Sequence, residues 1–138
     1  MRLFVDTSAL VALANAEDDN HESATVFREQ LRRGKTAFKL LITSNYVFDE
    51  TMTLLRARIG HGSAISLGEA LKNSEIFRID WITPELDAEA WNIFVKYRDK
   101  EFSYTDCASF ALMKSSGITL AFGYDEHFKQ FGYEQVPH

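Results

Sequence analysis

Short apolar runs alternate along the chain with longer segments in which apolar residues recur every three or four positions. The short runs are typical of buried strands, and the longer period is typical of amphipathic helices. The predicted strands are residues 3–5, 40–43, 76–81, 118–122 and a weak 134–136. The predicted helices are a segment ending at 14, 20–33, a segment ending at 59, 66–73, 84–98, 103–116 and 126–130.

Polar residues at the segment starts predict where these helices begin. Thr7 or Ser8 is a candidate cap for the first helix, Ser44 or Asn45 for the third, and Ser103 for the sixth. Thr83 followed by Pro84 marks a further start, because proline needs no hydrogen-bond acceptor there. Gly60 and Gly62 are predicted to separate two helices, and Gly117 to end another. Short strands alternating with helices predict an α/β fold whose parallel sheet is covered on both faces.

Composition limits the classes of protein that this chain fits. With 138 residues, 46% of them hydrophobic, residues 1–138 are expected to form a single domain. A net charge of −5 gives no global attraction to phosphates, so any nucleic-acid binding needs a local basic patch or a bound metal. The lone cysteine, Cys107, excludes an internal disulfide and is expected to be buried in a cytoplasmic protein. Asp6 interrupts the N-terminal apolar stretch, so neither a signal peptide nor a membrane span is expected.

Four carboxylates stand at strand ends, at a helix start or on an apolar helix face: Asp6, Glu50, Asp106 and Asp125. Asp6 and Asp125 each follow a predicted strand directly, and ligands of parallel sheets bind beyond the carboxyl ends of strands. Glu50 has Val47 and Leu54 as helical neighbours and is expected to face inward, whereas the adjacent Asp49 is expected to be exposed. If the fold gathers the four acids, their mutual repulsion favours a bound hard cation.

Each acid also has an ordinary structural alternative. Asp6 is a possible helix cap, although Thr7 and Ser8 could do that instead. Asp106 lies three residues after Ser103 and fits a capping box, and Asp125 fits a cap or a turn. For Asp106 and Asp125 the local pattern leaves both alternatives open.

Histidines and basic residues add less to the prediction. His127 lies two residues after Asp125, and a role near a substrate is the less favoured of its interpretations. His21 is expected at the surface of a helix start. No zinc motif is present, so oxygen ligands indicate Mg²⁺, with Mn²⁺ possible. Solvated helix ends are the default interpretation of the basic residues, and contact with a phosphate is the less favoured one. Arg56 and Arg58, which share a helix with Glu50, are the preferred candidates for that contact.

Five segments in order resemble the PIN-domain ribonucleases, most closely the VapC-type toxins of toxin–antitoxin pairs. The segments are Val5-Asp6-Thr7-Ser8-Ala9-Leu10, the stretch from Asp18 to His21, Asn45 to Glu50, Tyr104 to Met113, and Ala121 to Phe128. The resemblance covers nearly the whole chain and implies a three-layer α/β/α sandwich with a mainly parallel sheet of four to five strands.

The resemblance also implies an activity and a set of site residues. Asp6, Glu50, Asp106 and Asp125 are expected to hold one or two Mg²⁺ ions, with Thr7, Ser8 and Thr105 as possible supporting residues. The implied reaction is hydrolysis of RNA by metal-activated water, leaving 5′-phosphate and 3′-hydroxyl ends. A cognate antitoxin that blocks the acidic site and a homodimer are the implied partners. Many relatives carry Thr or Ser where this chain has Gly123, and Ser8 is a candidate to supply that hydroxyl.

Other functions fit parts of the pattern. A PIN-like module that binds RNA or protein without cleaving it is favoured only by Gly123, and a stand-alone RNA-processing nuclease shares every site residue. Phosphotransfer from an aspartate at a strand end fits poorly, because Ser8 stands where such enzymes need a second acid.

Overall fold

The computed structural model describes residues 1–138 and contains one sheet of five strands, all of them parallel. The order across the sheet is β3-β2-β1-β4-β5. The strands are β1 (Arg2–Val5), β2 (Leu40–Ser44), β3 (Phe77–Asp80), β4 (Leu120–Phe122) and β5 (Glu134–Val136). The predicted α/β fold with a parallel sheet is confirmed.

Seven helices connect the strands and cover both faces of the sheet. They are α1 (Thr7–Ala14), α2 (His21–Arg32), α3 (Asn45–Ile59), α4 (His61–Lys72), α5 (Pro84–Lys96), α6 (Tyr104–Ser116) and α7 (His127–Phe131). Right-handed crossovers place α1 to α4 on one face and α5 to α7 on the other, and the helices of each set pack against one another. None of the helices has both the length and the apolar character needed to cross a lipid bilayer.

The central strand β1 forms the middle of the core. Phe4 pairs with Ile42 of β2 on one side and with Ala121 of β4 on the other, and all three are fully buried. On the face of α5 to α7, Phe110 stacks on Phe131 with ring centroids 4.3 Å apart. A strand buried on both faces needs the continuous apolar run that residues 3–5 supply.

Most predicted helix starts agree with the structure. The side chains of Ser44, Thr83 and Ser103 each accept a hydrogen bond from a backbone N–H of the helix that follows. The cap of α1 is different, because the Asp6 carboxylate takes that place instead of the hydroxyl of Thr7 or Ser8.

The predicted start of α4 was wrong by five residues. A single glycine, Gly60 with φ +103°, separates α3 from α4, and α4 begins at His61 with Gly62 inside it. Gly62 therefore does not act as a helix breaker, because the turn is complete before it.

The direction of strand addition reverses beside β1. The chain proceeds from β1 outward through β2 to β3, and then returns to the other side of β1 to add β4 and β5. Crossovers on the two sides of this point leave by opposite faces, so a crevice opens between the carboxyl ends of β1 and β4. This crevice is where Asp6 and Asp125 leave the sheet.

Candidate active site

The ends of β1 and β4 fix the position of the first acid. The backbone N–H of Asp6 donates to the Phe122 carbonyl at 3.0 Å, which continues the pairing of Val5 with Phe122 by one residue. Asp6 is therefore held by the sheet on one side and starts α1 on the other.

The Asp6 carboxylate is almost completely buried, with 4% of the residue exposed. Its Oδ2 accepts the Ser8 hydroxyl at 2.7 Å and the Ser8 backbone N–H at 3.3 Å. Burial raises the pKa of Asp6 to about 7, the Ser8 hydrogen bond opposes this, and the charges of Asp106 and Asp125 add to it. Asp6 is thus both a cap and a cleft residue, so the two interpretations of the sequence are not exclusive.

Asp106 also combines a cap with a place in the cleft. Its backbone N–H donates to the Ser103 hydroxyl and its Oδ2 accepts the Ser103 N–H, both at 3.0 Å, which forms the capping box. Only 6% of the residue is exposed, and burial raises the pKa of its carboxyl while the hydrogen bonds from the Ser103 N–H and from His127 oppose the rise. The remaining surface of the carboxylate faces the cleft.

Asp125 lies beyond β4 and meets Asp106 through a histidine. His127 Nδ1 lies 2.7 Å from Asp106 Oδ2 and 3.1 Å from Asp125 Oδ1. The backbone N–H of His127 donates to the same Asp125 oxygen at 3.0 Å. The ligand atoms of the three residues all lie within 4.8 Å of one another, close enough to share one cation.

Helix α3 brings one acidic and one basic side chain, Glu50 and Arg58, to the cleft. Glu50, Leu54 and Arg58 are spaced by four residues and line the cleft together. Arg56 is exposed but lies outside the cleft lining, as does Thr105, whose carbonyl accepts the Ser109 hydroxyl inside α6. Of the predicted peripheral residues, the structure brings Thr7, Ser8 and Arg58 to the cleft and leaves Arg56 and Thr105 outside it.

These side chains surround a polar cleft of about 360 Å³. The thirteen residues that line it are Asp6, Thr7, Ser8, Val11, Asp18, Asn20, Glu50, Leu54, Arg58, Ser103, Asp106, Asp125 and His127. Five carboxylates face a single arginine and one histidine in this lining. The excess of negative charge favours a cation over a free anion as occupant.

Six lining residues were absent from the predicted site, namely Val11, Leu54, Ser103, His127, Asp18 and Asn20. His127 comes from α7, and Asp18 and Asn20 come from the turn between α1 and α2, where Asp18 Oδ1 accepts the Asn20 N–H at 2.8 Å. Asp18 belongs to a motif that the family pattern contained, so that pattern was the available signal. His21, expected at the surface, is half-buried with Nδ1 2.7 Å from the Ala12 carbonyl, where it ties α2 to α1.

Gly123 leaves room for the group that holds Asp6. A Cβ at this position would lie 3.1 Å from Asp6 Cβ and 3.2 Å from the Ser8 hydroxyl oxygen. That hydroxyl also accepts the Tyr124 N–H at 2.9 Å, so it links the first acid to the loop after β4. A hydroxyl is therefore present beside Asp6, supplied from α1 instead of from residue 123.

Two further side chains bear on the chemistry of the cleft. The Thr7 hydroxyl is buried and has no hydrogen-bond partner, which is an uncommon state for a polar atom. Cys107, next to Asp106, is buried, and burial raises the pKa of its thiol to about 11. A thiol in that state is a poor nucleophile.

Comparisons with known proteins agree on one family. A family model described as "PIN domain" matches residues 3–133. The chain is 37% identical over 134 residues to "23S rRNA-specific endonuclease VapC20" of Mycobacterium tuberculosis, which covers 97% of both chains. It is 26% identical over 129 residues to "VapC ribonuclease" of Archaeoglobus fulgidus, covering 93% of this chain and 80% of that protein.

Solved structures give the same result. The crystal structure of M. tuberculosis VapC20, described as a "Sarcin-Ricin loop cleaving toxin", matches with a TM-score of 0.84 at 36% identity over 95% of each chain. FitAcB from Neisseria gonorrhoeae matches with a TM-score of 0.69 at 16% identity over 99% of this chain and 97% of that one, which shows the shared fold alone. With the family model spanning nearly the whole chain, this protein belongs to the PIN domain family.

Proposed function

We propose that this protein is a divalent-metal-dependent endoribonuclease and the toxin of a toxin–antitoxin pair. The observation that carries the proposal is the convergence of Asp6, Glu50, Asp106 and Asp125, from four separate parts of the chain, on one cleft. The names of the two relatives, an rRNA-specific endonuclease and a ribonuclease, support it.

The residues of the cleft fit a divalent cation. Asp6, Glu50 and Asp106 would hold it, with Asp125 as a direct or water-mediated ligand, and carboxylate oxygens suit Mg²⁺ or Mn²⁺. Neither Asp6 nor Glu50 has a lysine or arginine partner among the ion pairs, so their charges are left for another cation. When bound, the cation supplies a Lewis acid that favours attack of water on a phosphodiester and stabilises the departing oxygen.

The protein groups position the reacting parts. Ser8 fixes the orientation of the Asp6 carboxylate, and the Ser103 N–H fixes that of Asp106. Arg58 is the one arginine in the cleft and is placed to contact a phosphate of the bound RNA. Because water is the nucleophile in this proposal, the 2′-hydroxyl is not consumed and the products carry 5′-phosphate and 3′-hydroxyl ends.

A cleavage assay tests this function. Structured ribosomal RNA, the substrate class in the name of VapC20, and an unstructured RNA are incubated with Mg²⁺, Mn²⁺ or EDTA. We expect cleavage only with metal, and a loss of about 10³-fold or more in Asp6→Asn and Glu50→Gln. Asp49→Asn is the matched control, because Asp49 is an exposed acid next to Glu50 and lies outside the cleft.

The outcomes separate the nuclease from its alternatives. Cleavage that survives EDTA and both substitutions, or products with 2′,3′-cyclic phosphate ends, contradicts the proposed chemistry. RNA binding without cleavage under any metal would favour the binding module.

The proposed partners are an antitoxin and a second copy of the chain. A solved structure that shares the fold at 10% identity, with a TM-score of 0.69, is described as "VapBC2 from Rickettsia felis bound to a DNA fragment from their promoter". Several large apolar side chains on and near α5 are exposed, namely Trp81, Trp91, Phe94 and Val95, which supports a protein contact. Light scattering measures the mass of the protein in solution, and a dimer through this face should be lost in Trp91→Glu. Co-purification with the product of a short neighbouring gene would favour a toxin with an antitoxin over a stand-alone nuclease.

A further inference from the structure

We propose that His127 Nδ1 is a direct metal ligand beside Asp106 and Asp125, and that this nitrogen makes the site select Mn²⁺ over Mg²⁺. The inference deepens the proposed function, because it rests on the divalent-metal dependence of the same cleft. It adds a nitrogen to the expected ligand set, which was predicted to consist of oxygen atoms only.

The distances within the cluster suit a shared ion. Adjacent ligands of an octahedral ion with bonds of about 2.1 Å lie about 3 Å apart. His127 Nδ1 is 3.1 Å from Asp125 Oδ1 and 2.7 Å from Asp106 Oδ2. The ligand atoms of the three residues lie within 4.8 Å of one another, so one ion between them could contact all three.

The imidazole ring is already held in place. Its edge meets the Phe102 ring with centroids 5.6 Å apart at an angle of 73°, and its backbone N–H is fixed to Asp125 Oδ1. Coordination through Nδ1 requires the neutral ring with its proton on Nε2, so a proton held between Nδ1 and Asp106 would pass to water and Nε2 would take one from water when metal enters. The ligand needs no large rotation, which lowers the cost of binding.

A separate observation, the unpartnered hydroxyl of Thr7, supports a polar ligand in the cleft. Thr7 lines the cleft, only 6% of the residue is exposed, and its hydroxyl has no partner. A buried hydroxyl without a hydrogen bond is unfavourable, and a hydrated cation beside Thr7 would give it a partner.

The chemistry of the nitrogen decides which cation is favoured. Mg²⁺ is hard and binds oxygen, whereas imidazole suits the first-row transition metals. The surrounding carboxylates, with no cysteine in the cleft, favour an octahedral oxygen-rich site over the tetrahedral site that zinc prefers. Mn²⁺ accepts both donor types, so this mixed set fits it better than Mg²⁺.

Pulsed electron paramagnetic resonance of bound Mn²⁺ tests the ligand directly. We expect a ¹⁴N coupling from a coordinated imidazole in the wild type, converted to the ¹⁵N pattern in uniformly ¹⁵N-labelled protein. The coupling should disappear in His127→Gln while Mn²⁺ stays bound by the carboxylates. His61→Gln is the matched control, because His61 is exposed at the start of α4 and lies outside the cleft.

Calorimetry measures the selectivity. We expect His127→Gln to weaken Mn²⁺ binding about tenfold or more, and Mg²⁺ binding less than about threefold. Absence of the nitrogen coupling in the wild type, equal losses for the two ions, or no binding of Mn²⁺ would overturn the proposal. The wild-type spectrum decides the matter even if the variant fails to fold.

Failure here differs from failure of the proposed nuclease. Metal-dependent RNA cleavage that is lost in Asp6→Asn, without a nitrogen coupling in the wild type, leaves the nuclease intact and removes His127 from the ligands. A nitrogen coupling without cleavage keeps the ligand and removes the nuclease.

Discussion

Asp6 shows how one side chain serves the fold and the site at once. Its carboxylate caps α1, and the same position buries it between Ser8 and the loop after β4. Burial raises the pKa of Asp6 to about 7, so the metal-free protein favours the protonated form far above the usual range. Charge at this position is unfavourable until a cation arrives.

The first prediction concerns the pH dependence of stability without metal. An acid whose pKa is raised in the folded state contributes stability that is fully present below about pH 3.8 and lost as the pH rises through about 7. Asp6→Asn keeps a capping oxygen and removes the charge, so at pH 8 we expect it to be more stable than the wild type by a few kcal/mol, at about 1.4 kcal/mol per pKa unit. Urea unfolding in EDTA from pH 4 to pH 8 measures the difference.

The same variant should respond differently to metal. Mn²⁺ should raise the melting temperature of the wild type and leave that of Asp6→Asn nearly unchanged. A difference in stability that does not grow with pH would show that the Asp6 carboxyl titrates normally.

The second prediction concerns Gly123, because the side chains of Asp6 and Ser8 occupy the space that a larger residue would need. An added Cβ would press on Asp6 Cβ at 3.1 Å and on the Ser8 hydroxyl at 3.2 Å. In Gly123→Ala we expect the Asp6 carboxylate to move by a few tenths of an ångström, metal affinity to fall about tenfold, and the melting temperature to change little. Gly62→Ala is the control, since nothing lies within 4 Å of its added Cβ. Equal effects of the two substitutions on metal affinity would contradict the prediction.

The helical period of α3 decides which of its charged side chains reach the cleft. Glu50 and Arg58 are eight residues apart, which places them on one face of the helix, and both line the cleft. Asp49 and Arg56 are exposed and lie outside the cleft. The choice of Glu50 over Asp49 followed from the apolar face of the helix, and the structure places the two acids as that periodicity predicts. The helical period likewise separates Arg58, which lines the cleft, from Arg56, which does not.

The third prediction compares these two arginines. Arg58→Ala removes the one arginine in the cleft. We expect the KM for RNA to rise about tenfold, which corresponds to the binding free energy of one charge-assisted hydrogen bond, and kcat to change less. Arg56→Ala removes the same charge from the same helix and should change KM less than about twofold. Steady-state cleavage of a fluorescent RNA measures both, and equal effects would indicate a general charge effect instead of a contact.

The elements also show which parts of the site could be predicted from the sequence. Strand ends and helix phase are local patterns, so Asp6, Asp125 and Glu50 could be placed in advance. Asp106 was ambiguous because its capping box is real and its carboxylate also faces the cleft. His127 could not be assigned, because its place depends on how α7 packs against the start of α6, which no local pattern records.

At the scale of the whole molecule, an acidic protein is proposed to bind a polyanion. The net charge is −5, and five carboxylates line the cleft against one arginine. Bound metal would offset part of this charge, but the protein itself supplies few cations for RNA phosphates. Recognition of RNA should therefore depend on local contacts and metal more than on long-range attraction.

The last prediction follows from that charge distribution. For single strands, affinity falls with a log–log salt slope of about −0.7 for each phosphate neutralised by a cationic side chain. With Arg58 as the one arginine in the cleft, we expect the affinity of Glu50→Gln, which should leave the RNA intact, to fall less than about tenfold between 50 and 200 mM KCl. Fluorescence anisotropy with a labelled RNA at fixed Mn²⁺ measures the slope. A fall above about 100-fold would require about five phosphate contacts, and so a basic surface outside the cleft that binds RNA.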